Sequence, residues 1–378
     1  MKKTREIYNI LAFGSNTDLD DLNRYCLGKG KTEVSLRFCE KVKIPDNKLV
    51  FDKYAGSRNG GVLNIRSETG HVVEALLLKT DKEGLNMLRK KEGARIPGHY
   101  EEKKIIAIRN DGSVIRATTF IYPFKETNKF VRPSPEYLEI CKKGYHDFDL
   151  DLIPLLAAAN NEPAIPLSGL LAYGTLMREQ PLFSIVKKHG VGCALLAQCF
   201  GSLSTNGSYP ALDLKGAGFS WGDFILSEDI VSLLPHTDKI EGFRGYDQDN
   251  HHYRRTCVDV DIGGISPRLA WVYVQDTPSK LPVPSNDWRD FRSVKQKFYG
   301  SLIAEHKQQN PNLGREISAY INRYNPHKTD PDVLSSSMMQ SILLEGTCLT
   351  EKRLAQHSNF WTACVKNQCQ NMKGLTNA

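Results

Sequence analysis

The sequence predicts an α+β protein made of two tandem copies of one domain, each built on a mostly antiparallel sheet that curls to shelter its edges. Three observations support this class: a segment that recurs roughly 160 residues further along the chain, period-two apolar patterns in both copies, and a change to polar helical patterns after about residue 286. We divide the chain into a first domain at residues 1–158, a linker at 159–167, a second domain at 168–285 and a helical C-terminal region at 286–378.

The recurring segment is an apolar strand that enters a glycine turn. Residues 10–22 contain the turn Phe13-Gly14-Ser15-Asn16, and residues 170–182 contain the turn Tyr173-Gly174-Thr175-Leu176. Glycine lets a backbone approach a ligand closely, and the first amides of a following helix have no intrahelical acceptor. Each turn is therefore a candidate for holding a carboxylate or an oxyanion. Such turns are often only structural, so the argument depends on the recurrence.

A glutamate ends a helical pattern in each copy and precedes a glycine. Glu92 follows the first turn and Glu241 the second, and Tyr100 and Tyr253 come a few residues later. The carbonyls at a helix C-terminus disfavour negative charge, which raises the pKa of a carboxyl group there. Such a group suits a general base that must later act as an acid. A surface glutamate in a helix cap is the alternative for either residue by itself.

The patterns between these parts predict the remaining elements. Strands are predicted at 105–108, 113–121, 256–262 and 269–274. Helices are predicted at 18–25, 82–91, 135–143 and 177–188, with Ser134 as the N-cap of the third. The C-terminal region contains longer polar helical patterns at 289–306, 313–324, 335–345 and 351–366.

Composition places the chain among ordinary globular proteins. Hydrophobic residues make up 40% and charged residues 25% of it, and no apolar run reaches the ~20 residues of a transmembrane helix. The nine cysteines are an odd number without CxxC pairs, which indicates a reducing compartment. The N-terminus has no apolar core of a signal peptide. We therefore expect a cytoplasmic protein that does not contact a membrane.

The net charge of +7 is concentrated near the C-terminus, where residues 288–378 hold twelve Lys/Arg and seven Asp/Glu. These charges are scattered and no aromatic stacking pattern accompanies them, so nucleic acid is not the expected partner. The favoured interpretation is that these basic residues form an ordinary solvated surface. The alternative is that they bind a protein partner. His357, Cys364 and Cys369 are spaced too widely for a zinc site, and phosphate-loop patterns are missing. No metal or cofactor is expected.

Taken in order, these motifs resemble the γ-glutamylcyclotransferase-like superfamily in both copies. The first copy resembles the γ-glutamylcyclotransferase branch, and the second resembles the γ-glutamylamine cyclotransferase and AIG2-like branch. The motifs that carry the resemblance are 12–16, 58–65, 92–93, 100 and 133–138 in the first copy, and 172–176, 207–212, 222, 241–242 and 253–255 in the second. Two departures fall in the first copy: Phe13 stands where a tyrosine is usual, and Tyr100-Glu101 where a Tyr-Arg pair is common.

The resemblance implies a small mixed β-barrel in each copy, with flanking helices, a pocket at the mouth and a reaction without metal or cofactor. In such enzymes the α-amino group of the substrate attacks its own γ-carbonyl, which closes 5-oxoproline and releases an amine. Glu92 or Glu241 would act as acid and base. The implied substrate-binding residues are Phe13, Gly14, Ser15, Asn16 and Tyr100 in the first copy, and Tyr173, Gly174, Thr175, Leu176 and Tyr253 in the second. The second copy is expected to carry the activity.

Three functions are compatible with these observations. The leading one is a tandem cyclotransferase that acts on γ-glutamyl small molecules or on γ-glutamyl groups attached to a protein. The second is a binding or regulatory protein that keeps the fold without the reaction. The third is an enzyme that cleaves or transfers a γ-glutamyl isopeptide without cyclisation. Release of 5-oxoproline separates the first function from both others.

Overall fold

The computed structural model describes residues 6–27, 36–123, 125, 129–205, 209–248, 251–263, 267–277 and 281–291. The chain divides into two compact units. Unit 1 comprises Met1–Ser168 and Glu228–Val258, and unit 2 comprises Gly169–Ser227 and Asp259–Ala378. Unit 1 therefore includes a segment that the sequence analysis assigns to the second copy, and the domain boundaries drawn from the sequence stay predictions.

Five strands of unit 1 close into a barrel, as the family resemblance implies for the first copy. They are β1 (Tyr8–Ala12), β2 (Arg37–Ala55), β3 (Gly60–Thr80), β4 (Glu101–Ile108) and β5 (Val114–Ile121). Their hydrogen-bonding order is β1-β3-β2-β4-β5. Neighbouring strands are antiparallel, except that β1 runs parallel to β5 where Ile10 pairs with Thr118. This parallel pair closes the sheet and removes its edges.

The described part of Met1–Ser168 also contains four helices, α1 (Leu19–Leu27), α2 (Lys82–Glu92), α3 (Pro135–Asp147) and α4 (Leu152–Ala159). The predicted cap of α3 is confirmed, because the Ser134 side chain accepts a hydrogen bond from the Tyr137 N–H. Asp81 caps α2 in the same way. Gly93 ends α2 with a φ of 66°, a left-handed conformation that glycine adopts without steric cost. Local sequence signals therefore set where these helices begin and end.

The start of β3 packs against the segment that leads into α3. The Gly61 N–H donates to the Arg132 carbonyl oxygen at 2.8 Å. A Cβ at Gly61 would overlap the carbonyl oxygen of Val131, so only glycine fits there. This close approach sets the path of the chain into α3, which carries Tyr137.

Gly61→Ala is expected to lower the free energy of unfolding by about 3 kcal/mol, because the new methyl group meets backbone that cannot rotate away. Urea denaturation of the purified variant measures the change. Gly56→Ala is the matched control, since a Cβ at Gly56 has no heavy atom within 4 Å. Equal stabilities of the two variants would contradict the close packing at β3.

Unit 2 is built on β6 (Gly169–Ala172), α5 (Phe183–Lys188), β7 (Val191–Phe200), β8 (Ser202–Thr205), β9 (Pro210–Asp213) and β10 (Phe219–Ser227). After α6 (Ile230–Glu241) and β11 (Arg254–Val260), the chain continues in unit 2 with β12 (Arg268–Val274) and β13 (Leu281–Pro282). β6 pairs antiparallel with β10 and parallel with β12, and β10 also pairs with β7. A closed second barrel is not established by these described strands.

One prediction for the second copy needs correction. The helix predicted at 177–188 forms only at Phe183–Lys188, because residues 175–182 make successive turns such as the Leu182 N–H bond to the Thr175 carbonyl. The described packing of unit 2 continues past residue 285, where the sequence predicts the start of the C-terminal region. Trp288 and Phe291 are buried and stack on each other, and the Asn286 side chain accepts from the Leu203 N–H.

The helical patterns predicted beyond residue 291 lie outside the described residues, as do His357, Cys364 and Cys369. The helices within the described ranges are all too short or too polar to cross a lipid bilayer.

Candidate active site

The first glycine turn follows β1 directly. Ser15–Thr17 forms a single tight helical turn, in which the Thr17 N–H and hydroxyl both donate to the Gly14 carbonyl oxygen, at 2.9 and 2.7 Å. Among the described residues, no acceptor is found for the N–H groups of Ser15 and Asn16. These two amides are therefore available to an anion.

The start of α1 differs from the expectation. The helix was predicted to begin at Asp18 and to offer its first amides to a ligand. Instead, the buried Asp18 carboxylate accepts from the N–H groups of Asp20 and Asp21 and so occupies the helix terminus. Among the described residues here, the backbone amides without an acceptor therefore lie in the turn rather than at the start of the helix.

Glu92 faces the turn across the cavity. It is the last residue of α2, and its Oε1 accepts from Asn16 Nδ2 at 2.9 Å. Lys91 Nζ donates to Asn16 Oδ1 at 2.7 Å. The Asn16 amide therefore connects a carboxylate and an ammonium that come from a helix about 75 residues further along the chain. The structure therefore brings two of the candidate residues, Glu92 and Asn16, into contact.

Two phenols complete the small cavity. The Tyr100 hydroxyl donates to the Leu63 carbonyl oxygen at 2.9 Å, and the Tyr137 hydroxyl accepts from the Leu63 N–H at 3.2 Å. Burial raises the pKa of both phenols well above its ordinary value, so both stay protonated at neutral pH. The cavity is about 40 Å³ and is lined by the turn, Glu92 and both tyrosines.

Tyr137 is a site residue that the sequence analysis did not single out. In unit 2, Tyr173 lies in the turn itself, and its hydroxyl accepts from the Leu212 N–H at 3.4 Å and donates to the Tyr273 carbonyl. In unit 1 the turn has Phe13, and the hydroxyl that accepts from a strand N–H comes from α3 instead. The missing hydroxyl at Phe13 was the available signal, but the sequence does not say which tyrosine replaces it.

A second, larger cavity of about 670 Å³ adjoins the first and shares Ser15, Glu92, Tyr100 and Tyr137 with it. Its other lining residues include four cations, Arg24, Lys53, Arg58 and Lys91.

The cations of this cavity differ in their partners. Arg58 pairs with Asp21 at 2.8 Å, and the buried Lys91 lies 3.5 Å from the same carboxylate. Burial lowers the pKa of Lys91 and of Lys53. One carboxylate, that of Asp21, therefore serves two of the four cations.

The second set of predicted residues is distributed over both units. In unit 2, Tyr173 is buried, and a Cβ at Gly174 would lie 2.9 Å from the Pro210 ring. Thr175 and Leu176 continue this turn, and the Met177 N–H closes it on the Gly174 carbonyl oxygen at 3.1 Å. The turn thus has the tight backbone that the sequence predicts.

Glu241 and Tyr253 belong to unit 1. Glu241 ends α6, and Gly242 follows with a φ of 67°, which repeats the end of α2. The Tyr253 N–H donates to the Glu241 carbonyl oxygen at 3.0 Å. Burial raises the pKa of the Glu241 carboxyl group to about 7. The raised pKa agrees with the prediction, although its cause is desolvation rather than the helix carbonyls.

The barrel of unit 1 therefore carries a glutamate, a glycine turn and two buried phenols around one polar cavity. The sequence model of the family described as "Gamma-glutamyl cyclotransferase, AIG2-like" matches residues 170–290, which is about a third of the chain. No curated protein matches the sequence.

Three solved structures have similar folds in parts of the chain. One described as a gamma-glutamyl cyclotransferase is 22% identical over 43% of this chain and 89% of its own, with a TM-score of 0.35. An uncharacterised human protein is 23% identical over the same shares, with a TM-score of 0.34. YkqA from Bacillus subtilis is 13% identical over 76% of this chain and 91% of its own, with a TM-score of 0.31.

Proposed function

We propose that this protein is a γ-glutamyl cyclotransferase that releases 5-oxoproline and a free amine from γ-glutamyl compounds. The family match at residues 170–290 supports this type of activity at the level of the family. The observation that carries the proposal is the contact of the Glu92 carboxylate with Asn16 in the glycine turn, inside a cavity that also contains Tyr100 and Tyr137. Glu241, with its raised pKa, is the proposed acid and base of the second copy.

The proposed reaction removes two protons from the α-nitrogen, and Glu92 carries both of them. The substrate enters with an α-ammonium group, which must lose a proton before it is a nucleophile, and Glu92 accepts that proton. The α-amine attacks the γ-carbonyl carbon, a C–N bond forms, and the carbonyl oxygen becomes an oxyanion. Glu92 then donates this proton to the leaving nitrogen as the carbonyl re-forms and the original γ-amide C–N bond breaks. The ring nitrogen loses its second proton to the regenerated Glu92 carboxylate, which passes it to the departing amine, so 5-oxoproline leaves as a neutral lactam and the amine as an ammonium. Ring closure is intramolecular, so the site mainly holds the substrate in its folded conformation.

The turn and the phenols have binding roles in this reaction. The free N–H groups of Ser15 and Asn16 would hold the α-carboxylate or the developing oxyanion. The Tyr100 and Tyr137 hydroxyls are held on the Leu63 backbone, so they are oriented before a substrate arrives. Neither the proton transfers nor the ring closure in this proposed reaction requires a metal or a cofactor.

We also propose that the two copies derive from one domain. β1 pairs antiparallel with β3 and parallel with β5, and β6 pairs in the same way with β10 and β12. Glycine in a left-handed conformation follows Glu92 and Glu241 alike. Common ancestry explains this agreement of pairing and capping more simply than two independent origins.

The test is a direct assay of the full-length protein with γ-glutamyl-alanine, γ-glutamyl-lysine and glutathione. Release of 5-oxoproline from any of them supports the cyclotransferase. Release of glutamate, or transfer of the γ-glutamyl group without 5-oxoproline, favours isopeptide chemistry. Binding without any product favours a regulatory protein and contradicts the proposal.

Asn16→Ala is expected to lower kcat of the unit 1 site by about 10-fold or more, because a hydrogen bond to a charged group is lost and Glu92 is no longer held against the turn. Turnover is measured in a Glu241→Gln background, which isolates the unit 1 site. Asn86→Ala is the control, since the Asn86 side chain accepts from Arg89 on α2 instead. Unchanged kcat in Asn16→Ala would show that the contact has no part in the reaction.

A further inference from the structure

The larger cavity of unit 1 contains one ammonium group whose charge the protein does not balance by an ion pair. Arg58 and Lys91 both lie near the Asp21 carboxylate, at 2.8 and 3.5 Å. Lys53 lines the same cavity, and among the described residues no carboxylate lies within ion-pair distance of its Nζ. Arg24, the fourth cation, is exposed, so water screens its charge.

Two aromatic rings hold the Lys53 side chain in place. Its Nζ lies 4.2 Å from the centre of the Tyr100 ring and 4.9 Å from that of Tyr122. Cation–π contacts of this kind stabilise an ammonium group without neutralising it. Burial lowers the pKa of Lys53 although the attraction of the Glu92 carboxylate opposes this shift, so the ammonium group has lost part of its hydration. A partly dehydrated, oriented ammonium gains strongly from an anion that comes to it.

The position of Lys53 relative to the reacting atoms identifies which part of the substrate it faces. Of the two roles proposed for the turn, the inference uses the first, in which the turn holds the α-carboxylate in the small cavity. Glu92 lines both cavities. The large cavity, which contains Lys53, is then the space for the amine that leaves. An anion bound at Lys53 would therefore belong to the leaving amine.

We propose that Lys53 is a specificity-determining residue that binds an acidic group on the leaving amine. On this basis, and given the proposed cyclotransferase function on which it rests, the unit 1 site prefers γ-glutamyl compounds whose amine carries a carboxylate over those whose amine is neutral. Lys53 does not take part in bond formation or cleavage. Its contribution is to substrate binding and orientation.

The experiment compares two substrates that differ only in this charge, γ-glutamyl-alanine and γ-glutamyl-alaninamide. It uses the full-length Glu241→Gln protein, alone and with Lys53→Met added, and measures 5-oxoproline release and ligand binding by calorimetry. Lys48→Met is the matched control, because Lys48 lies on the same strand but pairs with Glu68 at 2.8 Å.

We expect the protein with Lys53 to prefer γ-glutamyl-alanine by about 10-fold or more in kcat/KM, the usual effect of one charge-assisted hydrogen bond. Lys53→Met should remove this preference, mainly through KM, and should leave turnover of the alaninamide within about three-fold. Lys48→Met should leave kcat/KM unchanged for both substrates.

The inference is overturned if Lys53→Met lowers kcat/KM equally for both substrates, or if the protein with Lys53 turns over the two substrates equally. If neither substrate yields 5-oxoproline, the proposed function fails separately. Calorimetry still decides the role of Lys53 in that case. Tighter binding of γ-glutamyl-alanine that depends on Lys53 supports the assignment, and equal binding of both compounds refutes it.

Discussion

Glu92→Gln is expected to lower 5-oxoproline release by the unit 1 site about 10²–10⁴-fold, the usual contribution of a general base. Glutamine has nearly the shape of glutamate but cannot take up the proton of the α-ammonium group. Its carbonyl oxygen can still accept from Asn16 Nδ2, so the turn and α2 keep their contact. The loss should therefore appear in kcat rather than in the melting temperature.

The measurement is single-substrate kinetics in the Glu241→Gln background, with a thermal melt of each variant. Glu83→Gln is the matched control, because Glu83 is an exposed residue in the first turn of the same helix. Full turnover in the Glu92 variant would remove Glu92 from the mechanism of unit 1. Turnover by the variant that lacks both Glu92 and Glu241 would remove the carboxylate mechanism altogether.

Glu241→Gln is expected to abolish activity of the second copy to a similar degree, about 10²–10⁴-fold. This activity is measured in the Glu92→Gln background. Because burial raises the pKa of Glu241 to about 7, kcat/KM of the second copy should rise with pH up to about that value and then level off. The carboxylate is the form that accepts a proton, so the profile must rise with pH rather than fall.

Glu241→Gln should also stabilise the folded protein at alkaline pH. The pKa of Glu241 is higher in the folded chain than its ordinary value of 4.5, so folding favours the protonated form. This contribution to stability is complete below about pH 4.5 and is lost as the pH rises through about 7. At pH 8 the glutamine variant should be more stable than wild type by at most about 3 kcal/mol, since partial exposure of Glu241 reduces the effect.

Urea denaturation at pH 4.5 and pH 8 measures the difference. Asp151→Asn at an exposed helix cap is not expected to show the alkaline gain, because its carboxylate accepts from the Ile153 N–H in the folded state. If Glu241→Gln is inactive but as stable as wild type at both pH values, the result contradicts a raised pKa of the Glu241 carboxyl group. If the variant gains stability at pH 8 and keeps full activity, Glu241 is buried but has no catalytic role.

Local signals in the sequence predicted the parts of the site that depend on neighbouring residues. Ser134 caps α3 because a serine side chain can reach the amide three residues later. Glycine after Glu92 and Glu241 adopts the left-handed conformation that ends a helix. The repeated glycine turn and glutamate could also be recognised in the sequence, because each is a short motif of neighbouring residues. The predicted helix at 177–188 was too long because turn bonds within 175–182 outweighed its apolar spacing.

The sequence alone thus indicated strands such as β4, β5, β11 and β12, several helix ends and the two candidate glutamates, since these follow from side-chain spacing and from bonds between residues a few positions apart. Only the tertiary structure decided which groups surround Glu92. Asn16, Tyr137 and Lys53 reach the cavity from a turn, a helix and a strand that the chain separates by tens of residues. Their meeting depends on the register with which β1, β2 and β3 close into the barrel, and a shift of β2 by one residue would point the Lys53 side chain to the opposite face.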